Sequence, residues 1–160
     1  MRNLLWLVFA GTVLSLVPMT AAAATSGALT INGKVPISCA IVVTPSAGAS
    51  NIADISAGNT NLLVATVTEN CNDPSGYSVS LAGANSGSYT GLFKDSVSAA
   101  TVAFNVTYAG AAVSAATVTN VAAPANTTKN VQITYAATPN LTGSVGYTYA
   151  ETLTFTITAK

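Results

Sequence analysis

Thr152-Leu153-Thr154-Phe155-Thr156-Ile157-Thr158 decides the fold class. Apolar side chains fall on every second residue with threonine between them, the period of a strand that buries one face and wets the other. Upstream, the pattern returns. Val131, Ile133 and Tyr135 alternate, as do Val102, Phe104, Val106 and Tyr108, which end at Ala109-Gly110 with a return through Val113. Tyr77, Val79 and Leu81 alternate with Ser78 and Ser80. An apolar run over residues 62–68 leads to Cys71, and a β-rich stretch over 39–43 is broken by residues 45–50. Asn72-Asp73-Pro74-Ser75-Gly76 reads as a turn, and residues 83–91 and 139–146 as loops. No segment after the N-terminal run has a helical period. About six to eight short strands at this spacing predict an all-β, immunoglobulin-like antiparallel β-sandwich, with a small β-barrel as its competitor.

The chain has 160 residues, enough for about one domain, and half of it is apolar. It contains no histidine, and only 6 % of its residues are charged. Acid–base and metal chemistry draw mostly on His, Asp, Glu, Lys and Cys, so the composition argues against an enzyme and against a metal or organic cofactor. Asp54, Glu69, Asp73, Asp95 and Glu151 form no close pair in sequence and read as solvated turn and strand-face carboxylates. Arg2, Lys34, Lys94, Lys129 and Lys160 are scattered, whereas nucleic-acid binding needs clustered basic residues.

Met1-Arg2-Asn3 carries a positive charge, residues 4–17 are an apolar run, and Pro18-Met19-Thr20 breaks it before Ala21-Ala22-Ala23-Ala24. These are the three parts of a secretory signal, residues 1–24, with cleavage expected after Ala24. A membrane-spanning helix needs about 20 apolar residues, more than this run holds. Export places Cys39 and Cys71 in an oxidising compartment, where they read as a disulfide. On the chain-entropy account such a loop closure contributes roughly 3–4 kcal/mol.

Residues 28–37 form a further alternating segment directly after the signal. Leu29, Ile31, Gly33, Val35 and Ile37 share one side; Thr30, Asn32, Lys34 and Pro36 share the other. A glycine in the middle of an apolar face weakens an ordinary strand and marks a place where another backbone comes close. The last alternating strand runs almost to Lys160 with no closing partner after it.

Leu29-Thr30-Ile31-Asn32-Gly33-Lys34-Val35-Pro36-Ile37-Ser38-Cys39 resembles the start of chaperone–usher pilus (fimbrial) subunits, where an alternating extension with a central glycine leads into the first cysteine. Val67-Thr68-Glu69-Asn70-Cys71 with Tyr77-Ser78-Val79-Ser80-Leu81 resembles the second-cysteine strand of that superfamily, including its spore-coat-U-like branch. Tyr149-Ala150-Glu151-Thr152-Leu153-Thr154-Phe155-Thr156-Ile157 is similar to its terminal strand. The tail Thr158-Ala159-Lys160 departs from the aromatic residue with which many members finish, which leaves the branch open.

The resemblance implies an incomplete sandwich over residues 38–160 that lacks its last strand, preceded by a donor segment over 25–37. In the family, a periplasmic chaperone fills the resulting groove first. At an outer-membrane usher, the extension of the next subunit replaces it, and repetition builds a surface fibre that supports adhesion and can present a host receptor contact. Carried onto this chain, Leu29, Ile31, Val35 and Ile37 become side chains that enter a neighbour's groove, and Gly33 permits the close approach. Leu153, Phe155 and Ile157 line the acceptor groove, and the Lys160 carboxylate is the group a chaperone grips. Main-chain pairing with alternate side chains in pockets is the physics of strand addition. Four buried aliphatic side chains supply roughly 6–12 kcal/mol before ordering costs.

The competing expectation is a self-contained secreted sandwich that binds carbohydrate or a host-surface ligand, with Tyr77, Tyr89, Tyr108, Tyr135, Tyr147 and Tyr149 as a source of stacking platforms. Such tyrosines are more often core or edge residues with one wet end.

Overall fold

Alternation becomes a strand wherever a second sheet can cover its apolar row, and that happens along most of this chain. The computed structural model describes residues 26–50, 52, 54–141 and 148–160. The signal expected over residues 1–24 and most of the 139–146 loop lie outside the described residues. By its contacts the chain forms two units, Met1–Lys34 and Val35–Lys160. In the first, the described residues belong to no helix or strand.

The second unit is an antiparallel β-sandwich. Its first strand, β1 (Cys39–Pro45), is followed by a four-residue helix, α1 (Ala47–Ser50), and a 3-10 turn over Ile55–Ala57. Then come β2 (Asn59–Cys71), β3 (Tyr77–Gly83), β4 (Gly91–Asp95), β5 (Thr101–Tyr108), β6 (Ala111–Ala112) and β7 (Thr117–Val121). The long β8 (Ala125–Tyr135), the two-residue β9 (Tyr149–Ala150) and β10 (Leu153–Ala159) complete the described strands. One sheet has the order β1-β2-β8-β5-β4-β9, with β6 beside β5, and the other has the order β10-β3-β7.

The sequence reading places most of these strands but not β4 or β7. Gly91-Leu92-Phe93-Lys94-Asp95 and Thr117-Val118-Thr119-Asn120-Val121 are too short and too polar to announce themselves. Each becomes a strand because a neighbour supplies its ladder: β4 pairs with β5, and β7 with β3. Residues 28–37 carry strand-like alternation but form no strand, because none of the described residues supplies theirs.

The first four residues of β5 pair with β4 and its last four with β8. This divided pairing curls the larger sheet over one end of the sandwich. Gly91 makes the curl possible: a Cβ there would stand 1.8 Å from the Phe104 ring. Phe93 then packs on Phe104 at 4.4 Å between centroids and meets Tyr135 edge-on at 5.7 Å. Tyr108 and Phe155, stacked at 5.6 Å, join the two sheets. Around them Val67, Tyr77, Val79, Leu81, Val106 and Val131 are buried, each the inward member of its alternation.

Candidate functional site

The two sheets each end in a strand that bounds the same side of the sandwich. Among the described residues β1 pairs only with β2, and β10 only with β3. Between these two edges lies an apolar groove of about 260 Å³. Val43 and Pro45 of β1 form one wall, Leu153 and Phe155 of β10 the other. Its floor is the inner row of the larger sheet, with Ala65, Phe93, Phe104, Val131 and Ile133. These floor residues are buried, and the groove meets solvent at its walls, where Val43 is 41 % exposed and Leu153 half-buried.

A hydrogen-bonded corner at Glu151 holds the β10 wall. There the chain passes from β9, in the larger sheet, to β10, in the smaller one. Glu151 Oε1 accepts from the Asn85 and Thr152 amides at 3.0 and 2.8 Å, and Oε2 from the Leu92 amide at 3.0 Å. The Asn85 side-chain amide donates to the carbonyls of Leu92 and Ala150 at 3.0 and 2.7 Å. These bonds satisfy five backbone groups at the point where the chain changes sheet.

The end of the sandwich near the disulfide is built differently. Cys39 and Cys71 are bonded, the pairing expected from the sequence. Glu69, the next inward residue of β2, is fully buried. Its carboxylate accepts from the Tyr77 hydroxyl at 2.9 Å, Thr119 Oγ1 at 2.8 Å, the Tyr108 hydroxyl, and Lys129 Nζ at 2.8 Å. Lys129 also donates to Thr119 Oγ1 at 2.7 Å and lies over the Tyr108 ring. Burial by itself pushes the Glu69 carboxyl up, but Lys129 and the three hydroxyls outweigh it and hold the group below its ordinary range. Conversely, burial and then the Glu69 charge push the Tyr77 and Tyr108 hydroxyls above theirs. The partners come from both sheets, so one carboxylate ties β2, β5 and β8 to β3 and β7.

This corrects the expectation that the carboxylates are solvated. Glu69, Asp73 and Asp95 are buried; local donors serve one oxygen of each aspartate, the Ser75 amide on Asp73 Oδ1 and the Val97 and Ser98 amides with the Ser98 hydroxyl on Asp95 Oδ2, while Asp73 Oδ2 and Asp95 Oδ1 have no hydrogen-bond partner among the described residues. Parity carries the signal for Glu69, which shares the inward row of Val67 and Cys71.

Of the residues expected in the acceptor groove, Leu153 and Phe155 line it, and Ile157 packs partly buried against the core farther along β10. Lys160 instead lies by the 72–76 turn: its amide donates to the Gly76 carbonyl at 3.2 Å and its Nζ to the Val121 carbonyl at 2.7 Å. Leu29, Ile31, Val35 and Ile37 are exposed at 86, 85, 85 and 60 %. A Cβ on Gly33 would meet nothing within 4 Å in the single chain. Val43, Ala65, Phe93 and Phe104 escape the sequence reading as groove residues, since their strands meet only in three dimensions. Among the tyrosines considered for ligand stacking, Tyr77, Tyr108 and Tyr135 are interior, and Tyr147 lies outside the described residues.

Compared with known proteins, the chain matches no protein-family model and no curated protein significantly.

Proposed function

We propose that this chain is a structural subunit of a bacterial surface pilus that polymerises by donating the segment over residues 25–37 to the groove of a neighbouring subunit. One observation carries the reading. Among the described residues the chain has an apolar groove between two unpaired strand edges, and it also carries an alternating apolar segment, with its large side chains exposed, that pairs with no described strand.

The magnitudes are matched. At about 24 cal/mol per Å³ of unfilled interior, a fully filled groove gains at most about 6 kcal/mol. The donor side chains offer roughly 6–12 kcal/mol before ordering costs. Main-chain bonds to the edges of β1 and β10 add affinity and set register. Left open, two bare edges beside an apolar groove are an aggregation hazard. A periplasmic chaperone that covers the groove, followed by exchange at an outer-membrane usher, answers that hazard. The route ends at the cell surface, where the fibre supports adhesion; the subunit itself is assigned no catalysis.

The test removes residues 25–36 while keeping the signal. The truncated domain should fold as an oxidised monomer, form no SDS-resistant polymer, and bind a synthetic peptide of residues 28–37. Normal polymerisation of the truncated chain would rule out donation through this segment.

A further inference from the structure

We infer that Asn72 sets the direction in which the donor segment leaves the domain, and thereby makes strand donation pass between copies of the chain rather than back into the same copy. This rests on the donor-strand reading above.

Length alone does not prevent self-filling. Twelve extended residues, 25–36, reach about 40 Å, and the seven residues of β1 span only about 23 Å. If the chain reversed at residues 36–38, the alternating segment could run back antiparallel along the open edge of β1 and occupy its own groove. The geometry at those residues opposes that reversal.

The β1–β2 register ends at Cys39 opposite Cys71. Asn72 carries the pairing on after β2 has ended. Its amide donates to the Ser38 carbonyl at 3.1 Å, and its side-chain Oδ1 accepts from the Ser38 amide at 2.7 Å. Its Nδ2 donates to the Pro36 carbonyl at 3.0 Å. The side-chain amide thus serves as one more peptide group, and residues 36–38 prolong β1 in line. Pro36 has no N–H, so its carbonyl is its one main-chain handle, and Asn72 holds it. Val35, preceding a proline, is restricted to extended backbone, which disfavours a turn at that point.

Asn72 is itself anchored on both sides. Cys71 before it is bonded to Cys39. After it, Asp73 is buried, its carboxylate accepts from the Ser75 amide at 2.8 Å, and its carbonyl accepts from the Gly76 amide at 2.9 Å. A side chain fixed between a disulfide and a turn is a rigid guide, and it is solvent-exposed, so replacing it leaves the core unchanged.

The experiment compares wild type, Asn72→Ala and Asn72→Asp as full chains purified after export. Polymer and monomer are separated by size with light scattering, and the monomer is challenged with the 28–37 peptide. Wild type should polymerise and leave a monomer that takes the peptide. Asn72→Ala should shift material toward a monomer that refuses the peptide and melts above the segment-deleted domain, with a change of about fivefold for each hydrogen bond lost. Asn72→Asp keeps the acceptor for Ser38 but loses the donor to Pro36, and should fall between them. If both variants polymerise like wild type and leave no peptide-refusing monomer, the inference is wrong. If wild type neither polymerises nor takes the peptide, the donor-strand reading fails, and the inference falls with it.

Discussion

The two ends of the β2 inner row have opposite constructions. Toward Cys71 the row is closed by a disulfide and by a buried carboxylate with four donors drawn from both sheets. Toward Ala65 it opens into an apolar groove that no strand covers among the described residues. Buried polar networks hold two sheets at a defined separation because every member must keep its partners, whereas apolar contact is non-directional and accepts any strand of suitable shape. The closed end therefore fixes the frame, and under the proposed function the grooved flank is the one that receives another chain. Substitutions at the first should act on the stability of the monomer, and those at the second on association.

The largest effect on the monomer is expected from Cys39→Ser with Cys71→Ser. Losing the cross-link should lower unfolding free energy by roughly 3–4 kcal/mol, read as a lower urea midpoint. An unchanged midpoint would deny the disulfide its place in the frame.

Next in size is Lys129→Met, which leaves Glu69 buried without its cation. A cost of about 3 kcal/mol is expected, the low end for a broken buried pair, since three hydroxyls still serve the carboxylate. The pH profile sharpens this test. Because the folded Glu69 value is depressed, its contribution is fully present above the unfolded carboxylate range near about 4.3 and is lost as pH falls through the folded value. The raised Tyr77 and Tyr108 hydroxyls contribute below about pH 10, and that contribution is lost as pH rises through their folded values. Wild type should thus weaken at both extremes, and Lys129→Met should lose less on the acid side, because without the cation the folded Glu69 value rises toward the unfolded one. A profile identical to wild type would break the assignment of Glu69 as the inter-sheet tie.

The smallest effect on the monomer belongs to Leu153→Ser on the groove wall, under about 1 kcal/mol because that side chain is only partly buried. Binding of the 28–37 peptide should nevertheless weaken at least about tenfold, since an apolar contact completed only in the complex is replaced by a hydroxyl to be desolvated. A large loss of monomer stability with unchanged peptide binding would reverse the contrast between the two regions.

Much of the fold was legible in advance. Period-two alternation located β3, β5, β10 and the inner half of β8 because each is an inward row beneath a covering sheet. β4 and β7 were not, since short polar segments become strands through partners remote in sequence. The carboxylates were misread for the same reason: sequence shows a charge, but only the assembled sandwich shows which donors replace its water.

By itself the sequence determined the fold class, the cysteine pair, and an alternating segment ahead of β1, because these follow from local periodicity and composition. Only the tertiary structure decided that this segment goes unpaired among the described residues, that β1 and β10 leave a groove between them, and that Asn72 continues the ladder beneath Pro36. Each of those depends on which edges remain without a partner once every other strand has found one, and that is a property of the whole sheet arrangement.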